Sequence, residues 1–103
     1  MRQNSQLSAK VTFVPFDQTG RMHPLQSGVP SQLKVNELFT SCRVWGKTEA
    51  LIFEPGIEYN VTLELIFWDH CKDNIYAGMP LQLSEGDRIV GMGTIVGIET
   101  RQA

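Results

Sequence analysis

The sequence predicts an all-β fold, a small antiparallel barrel of Greek-key type with about six strands. Three observations carry that expectation. Apolar residues alternate at period two, most clearly from Tyr59 to Trp68. Short apolar stretches are separated by Gly, Pro, Asn and Asp turn signals at roughly ten-residue spacing. No stretch combines a helical period with end caps. The segment Leu81–Glu99 organises the rest: Leu81–Ser84 reads as a strand, Glu85-Gly86-Asp87 as a tight turn, and Arg88–Ile98 as a longer strand. One face of that second strand carries Gly91, Gly93, Ile95 and Gly97. Glycine in a strand gives up packing and backbone entropy, so this face is expected to lie where another backbone or a bulky side chain crosses closely. The hairpin is expected to close the barrel by folding onto Tyr59–Trp68.

Taken in order, residues 1–6 are polar and read as a frayed tail. Leu7–Phe16 is the first strand, with Val11 and Phe13 on one face, and it stops at Pro15. Asp17-Gln18-Thr19-Gly20 is a turn, and Arg21–Pro30 an ordered loop with room for one short strand. Gln32–Leu38 and Thr40–Trp45 are the next strands, then Thr48–Phe53, which ends at Glu54-Pro55-Gly56. In Tyr59–Trp68, Val61, Leu63, Leu65 and Phe67 form the core face. Asp69–Asn74 is a charged loop, and Ile75–Met79 bridges to the hairpin.

The 103 residues form one domain, large enough for a single core without staples. The formal net charge is −2 and the nine cations are scattered, which disfavours binding through generic phosphate contacts. The first residues lack the apolar core of a signal peptide, and no apolar run is long enough to span a bilayer, so a cytoplasmic location away from membranes is expected. Cys42 and Cys71 lack the spacing of a zinc site or a disulfide framework. Asn60-Val61-Thr62 matches a glycosylation sequon but reads as strand.

Catalytic signatures are sparse. His70 and Cys71 are adjacent within Asp69-His70-Cys71-Lys72-Asp73, a pair that suggests a nucleophile with its base or part of a metal site. Neighbouring side chains usually diverge and no second cluster completes a ligand set, so a solvated loop is the better reading. His23 reads as a loop hydrogen-bonder. Gly91-Met92-Gly93 lacks the following helix that a phosphate loop needs. Glu85 and Asp87 are a solvated turn, with Arg88 placed to pair with either. Trp45, Tyr59, Trp68 and Tyr76 offer a stacking platform for bases, but without interleaved cations they read as packing. No catalytic, cofactor or metal site is expected.

Two blocks carry a resemblance. Ala9–Gln32 holds a strand, then Thr19-Gly20-Arg21, His23, Pro24, Gly28 and Pro30 to Gln32; Leu81–Ile98 holds Glu85, Gly86, Arg88, Val90, Gly91 and Gly93. Together with Phe53-Glu54-Pro55-Gly56 and Asn60–Phe67, they resemble the C-terminal barrel, domain 3, of elongation factor Tu over residues 7–99. In that family the barrel holds the T-stem of aminoacyl-tRNA and meets the exchange factor. The resemblance places Gln32 and Glu85 at T-stem contact positions and Arg21 at the family's loop arginine. The chain departs from the pattern at Thr19, at Val29-Pro30-Ser31 and at Asp87, where the family has Gly, aromatic-Arg-Pro and Gly. These 103 residues carry no GTPase or middle domain, so GTP hydrolysis is not expected of them.

The resulting expectation is a stand-alone, non-enzymatic barrel that binds a protein through Arg21, His23, Gln32, Glu85 and Arg88, where the family's loops converge. A tRNA-like stem is the alternative partner. Exposed edges, or side chains such as Phe16, Phe39 and Trp68, would allow self-association.

Overall fold

The computed structural model describes residues 3–14, 25–46, 52–86 and 88–102. Among these residues eight strands run in chain order: β1 (Gln3–Phe13), β2 (Leu25–Gln26), β3 (Val29–Val35), β4 (Leu38–Gly46), β5 (Ile52–Phe53), β6 (Glu58–Leu65), β7 (Pro80–Glu85) and β8 (Arg88–Gln102). A four-residue helical turn, α1 (Trp68–Cys71), and a 3-10 turn at Lys72–Asn74 lie between β6 and β7. Six strands close an antiparallel barrel in the order β1-β6-β4-β3-β7-β8, and β2 pairs with β5 as a separate ribbon. Strands β3, β4 and β6 form a meander and β7 returns beside β3, which is the Greek-key connection. The predicted fold class therefore holds.

The core follows from strand alternation. Leu7, Ala9, Val11 and Phe13 of β1 face inward with Val61, Leu63 and Leu65 of β6 and Leu81 and Leu83 of β7. Each such aliphatic side chain contributes roughly 1.5–3 kcal/mol by leaving water. Phe13, Phe53 and Tyr59 fill one end, with Phe13 and Phe53 stacked at 4.8 Å between ring centroids and Tyr59 edge-on to Phe53 at 5.2 Å. The Tyr59 hydroxyl accepts from the Glu54 amide at 2.8 Å, which ties the Pro55-Gly56 turn to that plug.

The glycines of β8 do what their spacing implied, at two positions. A Cβ on Gly93 would run into the Lys10 carbonyl and lie 2.9 Å from the Val11 Cα, so the β1 backbone itself occupies the space. A Cβ on Gly91 would meet Val11 and Phe13 side chains at 3.2 and 3.3 Å. Register shifts between Ser8 and Ala9 and between Leu83 and Ser84 bend the two flanking pairings and tighten the curvature. The route of closure differs from expectation. The hairpin bridges β3 and β1, not Tyr59–Trp68; β6 sits between β1 and β4 instead.

Several boundaries also differ. β1 begins at Gln3, within the stretch read as a tail, because β8 runs long enough to pair with it at Gln3↔Gln102. Predicted strand Gln32–Leu38 is divided by a two-residue turn at Asn36-Glu37, where Asn36 takes φ 54° and Val35 pairs with Leu38. Asparagine tolerates that left-handed region better than other non-glycine residues. β6 stops at Leu65, so Phe67 is not core but 54% exposed. Cys71 is not in a solvated loop: it is 1% exposed, at the end of α1. The Asp17–Gly20 turn, Pro15, Phe16 and most of Thr48–Phe53 lie outside the described residues.

Candidate functional site

The β3–β4 hairpin sets the site. Its inward positions are Ser31, Leu33 and Val35 on β3 and Thr40, Cys42 and Val44 on β4. The other parity therefore faces out, in cross-strand pairs Pro30↔Arg43, Gln32↔Ser41 and Lys34↔Phe39. Phe39 is 58% exposed for this reason: the Asn36-Glu37 turn places it one residue off the core register. The Lys34 ammonium lies 5.6 Å from the Phe39 ring centroid, within cation–π range.

Beside this face the chain leaves β6. Cys42↔Leu65 is the last β4–β6 pair, and the Ile66 amide still donates to the Ser41 carbonyl at 3.3 Å. The chain then turns through Ile66-Phe67 into α1, so Phe67 returns over the β4 surface. Gln32, Phe39, Thr40, Ser41, Phe67 and Cys71 together line an open cleft of about 320 Å³. Two exposed aromatic rings border it, and Gln32, Thr40 and Ser41 add polar groups to its wall.

Gln32 joins this cleft to the hairpin tip. It registers with Ser84 on β7, Ser84 registers with Ile89 on β8, and Glu85 pairs with Arg88 across Gly86, whose φ is 58°. Three of the five predicted site residues, Gln32, Glu85 and Arg88, thus fall on adjacent strands at one end of the barrel. Glu85 and Arg88 are both already engaged with neighbours. Arg21 and His23 lie outside the described residues. The flanking residue Val14 donates its amide to the Val90 carbonyl at 3.0 Å, two residues from Arg88.

Sequence reasoning placed neither Phe39 nor Phe67 in a site. For Phe39 the signal was present: it shares the parity of Ser41, Arg43 and Trp45, the polar side of β4. For Phe67 the alternation pointed the other way, and only the end of β4–β6 pairing reveals its exposure. The four ring-bearing residues weighed as a platform separate instead. Tyr59 and Trp68 pack against the core, Tyr76 is exposed, and Trp45 lies on the outer surface over Gly28. A Cβ on Gly28 would come within 3.0 Å of the Trp45 ring, and Gly28 also has φ 93°. The Trp45 indole donates to Glu64 Oε1 at 3.2 Å, and Arg43 donates to the Gly28 carbonyl at 3.0 Å.

Burial pushes the Cys42 thiol up to about 12, which keeps it protonated and unreactive at neutral pH. Among the described residues no group of three or more His, Cys, Asp and Glu is placed to hold a metal ion. Among them, too, no helix is long and apolar enough to cross a membrane. Compared with known proteins, the chain matches no family model and no curated protein.

Proposed function

We propose that this barrel is a non-enzymatic binding module that takes a protein partner on the face formed by Gln32, Phe39 and Phe67. The observation that carries the reading is the open cleft of about 320 Å³ between two exposed phenylalanine rings. Exposed aromatics around a small pocket are the usual anchors of protein–protein contact, because they bury much area at low entropic cost. The acidic balance of the chain and its scattered cations favour protein over nucleic acid. The resemblance of the Ala9–Gln32 and Leu81–Ile98 blocks to domain 3 of elongation factor Tu supports the same region through Gln32, which lines the cleft, and a cytoplasmic, translation-related setting goes with that resemblance. Arg21 and His23 belong to the proposed surface through the resemblance alone.

A photo-crosslinking amino acid at position 39 or 67, in the full chain added to native cell extract, tests this. Protein adducts should form at both positions, survive nuclease, and be suppressed by excess unlabelled chain but not by a Phe39→Ser competitor. A second reading is favoured by Lys34, Arg43 and Arg88 on the outer face near the cleft: a tRNA-like stem held by few phosphates. Adducts that disappear with nuclease, together with salt-sensitive binding to aminoacyl-tRNA, would replace the protein reading with this one.

A further inference from the structure

We propose that the cleft beside Phe39 takes its partner as an extended peptide, which adds a strand to the open edge of β4 and carries a large apolar residue opposite Phe39 with a lysine or arginine two residues later. The inference rests on the reading of the cleft as a protein-binding site and states which form of protein it binds. On one side β4 is paired with β3 from Leu38 to Val44. On the other, β6 accompanies it only from Gly46 back to Cys42. One further bond, from the Ile66 amide to the Ser41 carbonyl at 3.3 Å, ends that ladder. A continued ladder would set Phe67 opposite Thr40 and Trp68 opposite Phe39. The chain coils into α1 at Trp68 instead, and the cleft lined by Phe39, Thr40, Ser41, Phe67 and Cys71 opens where the two strands part.

Strand geometry determines what this edge offers, because successive residues turn their backbone groups to opposite edges. The Gly28 amide reaches the Val44 carbonyl at 2.6 Å from the start of β3, whereas the Ile66 amide reaches the Ser41 carbonyl from the end of β6. Even-numbered residues of β4 therefore address β3, and the amide and carbonyl of Phe39 point into the opening. Among the described residues no strand pairs with Phe39 there. Proline, charge and bulges are the usual protections of an exposed strand, and β4 has none of them between Leu38 and Ser41. A backbone donor and acceptor at strand spacing are matched by another peptide backbone, the basis of recognition by strand addition.

The side chains around the opening set the sequence of the peptide. Both neighbours of β4 run antiparallel to it, and an added strand in the same sense lets one residue satisfy both backbone groups of Phe39. That residue shares the outer face with Phe39, and the exposed Phe67 ring also lines the cleft, so it is large and apolar. The peptide then runs past Leu38, which the cleft shares with a second open concavity lined by Val35, Asn36, Glu37 and Asn74. Glu37 is the one charged residue among these, so the position reached two residues on is basic. The same carboxylate repels a phosphate backbone, which favours a peptide over nucleic acid here.

Phage selection of short random peptides on the immobilised full chain, with the Phe39→Ser chain as counter-target, tests the proposal. Enriched sequences should carry an aromatic or large aliphatic residue followed two positions later by lysine or arginine, with no proline between. In the synthetic form of the best of them, N-methylation of the apolar residue's own amide should weaken binding at least about tenfold, because that amide donates to the Phe39 carbonyl. N-methylation of the next residue, whose amide points away from β4, should weaken it far less. Glu37→Gln should weaken it roughly two- to fivefold, the scale of an exposed ion pair. No enrichment, equal losses at the two methylated positions, or unchanged affinity in Glu37→Gln overturns the proposal. Where crosslinked protein adducts nonetheless form at positions 39 and 67, the binding reading stands and only the extended form of the partner falls. Sedimentation of the full chain should give a monomer at about 100 μM, well above the concentrations used in selection. A dimer that Phe39→Ser disperses puts a second copy on this edge and likewise overturns the proposal.

Discussion

Gly91 and Gly93 occupy alternate positions of the same strand as Gly97, and by sequence the three are equivalent. In the folded chain they are not. The first two lie where β1 crosses β8, one against the Val11 and Phe13 side chains and the other against the Lys10 backbone. The third stands in open space beside two exposed apolar residues. Among the described residues β8 therefore has a sealed half, which closes the barrel between β7 and β1, and an unsealed half, which has β1 as its one strand neighbour. Periodicity identifies glycines on a common face; only the path of the crossing strand says which of them are needed.

The comparison can be broken most forcefully at the sealed half. Phe13 stacks on Phe53 and covers Gly91, so Phe13→Ala should remove about 4 kcal/mol of stability, as large-to-small core changes do. Urea unfolding would register this as a lower midpoint, and a loss under about 1 kcal/mol would mean the aromatic plug does not close the barrel end. Gly93→Ala should cost about 3 kcal/mol, because the obstacle is the β1 backbone and cannot rotate away. Gly91→Ala meets only side chains that can shift by a few tenths of an ångström, so its cost should be nearer 1 kcal/mol. Equal losses at positions 91 and 93 would dissolve the distinction between backbone and side-chain crossing.

A third test reads the interior behind the cleft. The Cys42 thiol has a folded pKa of about 12 against an ordinary 9.0, from desolvation. The raised value means the folded state holds the proton longer than the unfolded state. Its contribution is therefore intact below pH 9 and is lost as pH rises toward 12, at up to about 1.4 kcal/mol per pH unit. Comparing urea midpoints of the chain and of Cys42→Val across that window isolates the effect from other titrations. Identical pH slopes would show that this part of β4 is wet.

The sealed half was largely legible in the sequence, and the reason is local. Strand glycines at period two, a Glu-Gly turn and apolar alternation are all written within a few residues of one another, so Leu81–Glu99 declares its own shape. The order β1-β6-β4-β3-β7-β8 was not legible, because pairing between β1 and β6 depends on which distant strands fit, and the hairpin was accordingly expected against the wrong neighbour. Asn36-Glu37 hid a turn because the pair lacks the glycine that usually marks one, leaving Leu33, Val35 and Leu38 to read as a single run. The same limit applies to the site. Gln32, Glu85 and Arg88 fall on the adjacent strands β3, β7 and β8, but the cleft that Gln32 lines also depends on Phe67, whose exposure is set by where β4 stops pairing with β6.

The smallest expected effect falls on the unsealed half and decides what that half is. Gly97→Ala introduces a Cβ with nothing within 4 Å, at a position without positive φ. Within a single copy the change should stabilise by about 0.4–1 kcal/mol, since alanine restricts the unfolded chain and strains nothing in the folded one. Measured at low micromolar concentration, a gain of that size beside the loss at Gly93 would establish that two glycines of one strand, alike in spacing, are kept by different constraints. A loss above 1 kcal/mol would mean instead that the second half of β8 is covered within the monomer, and the sealed and unsealed halves would become one.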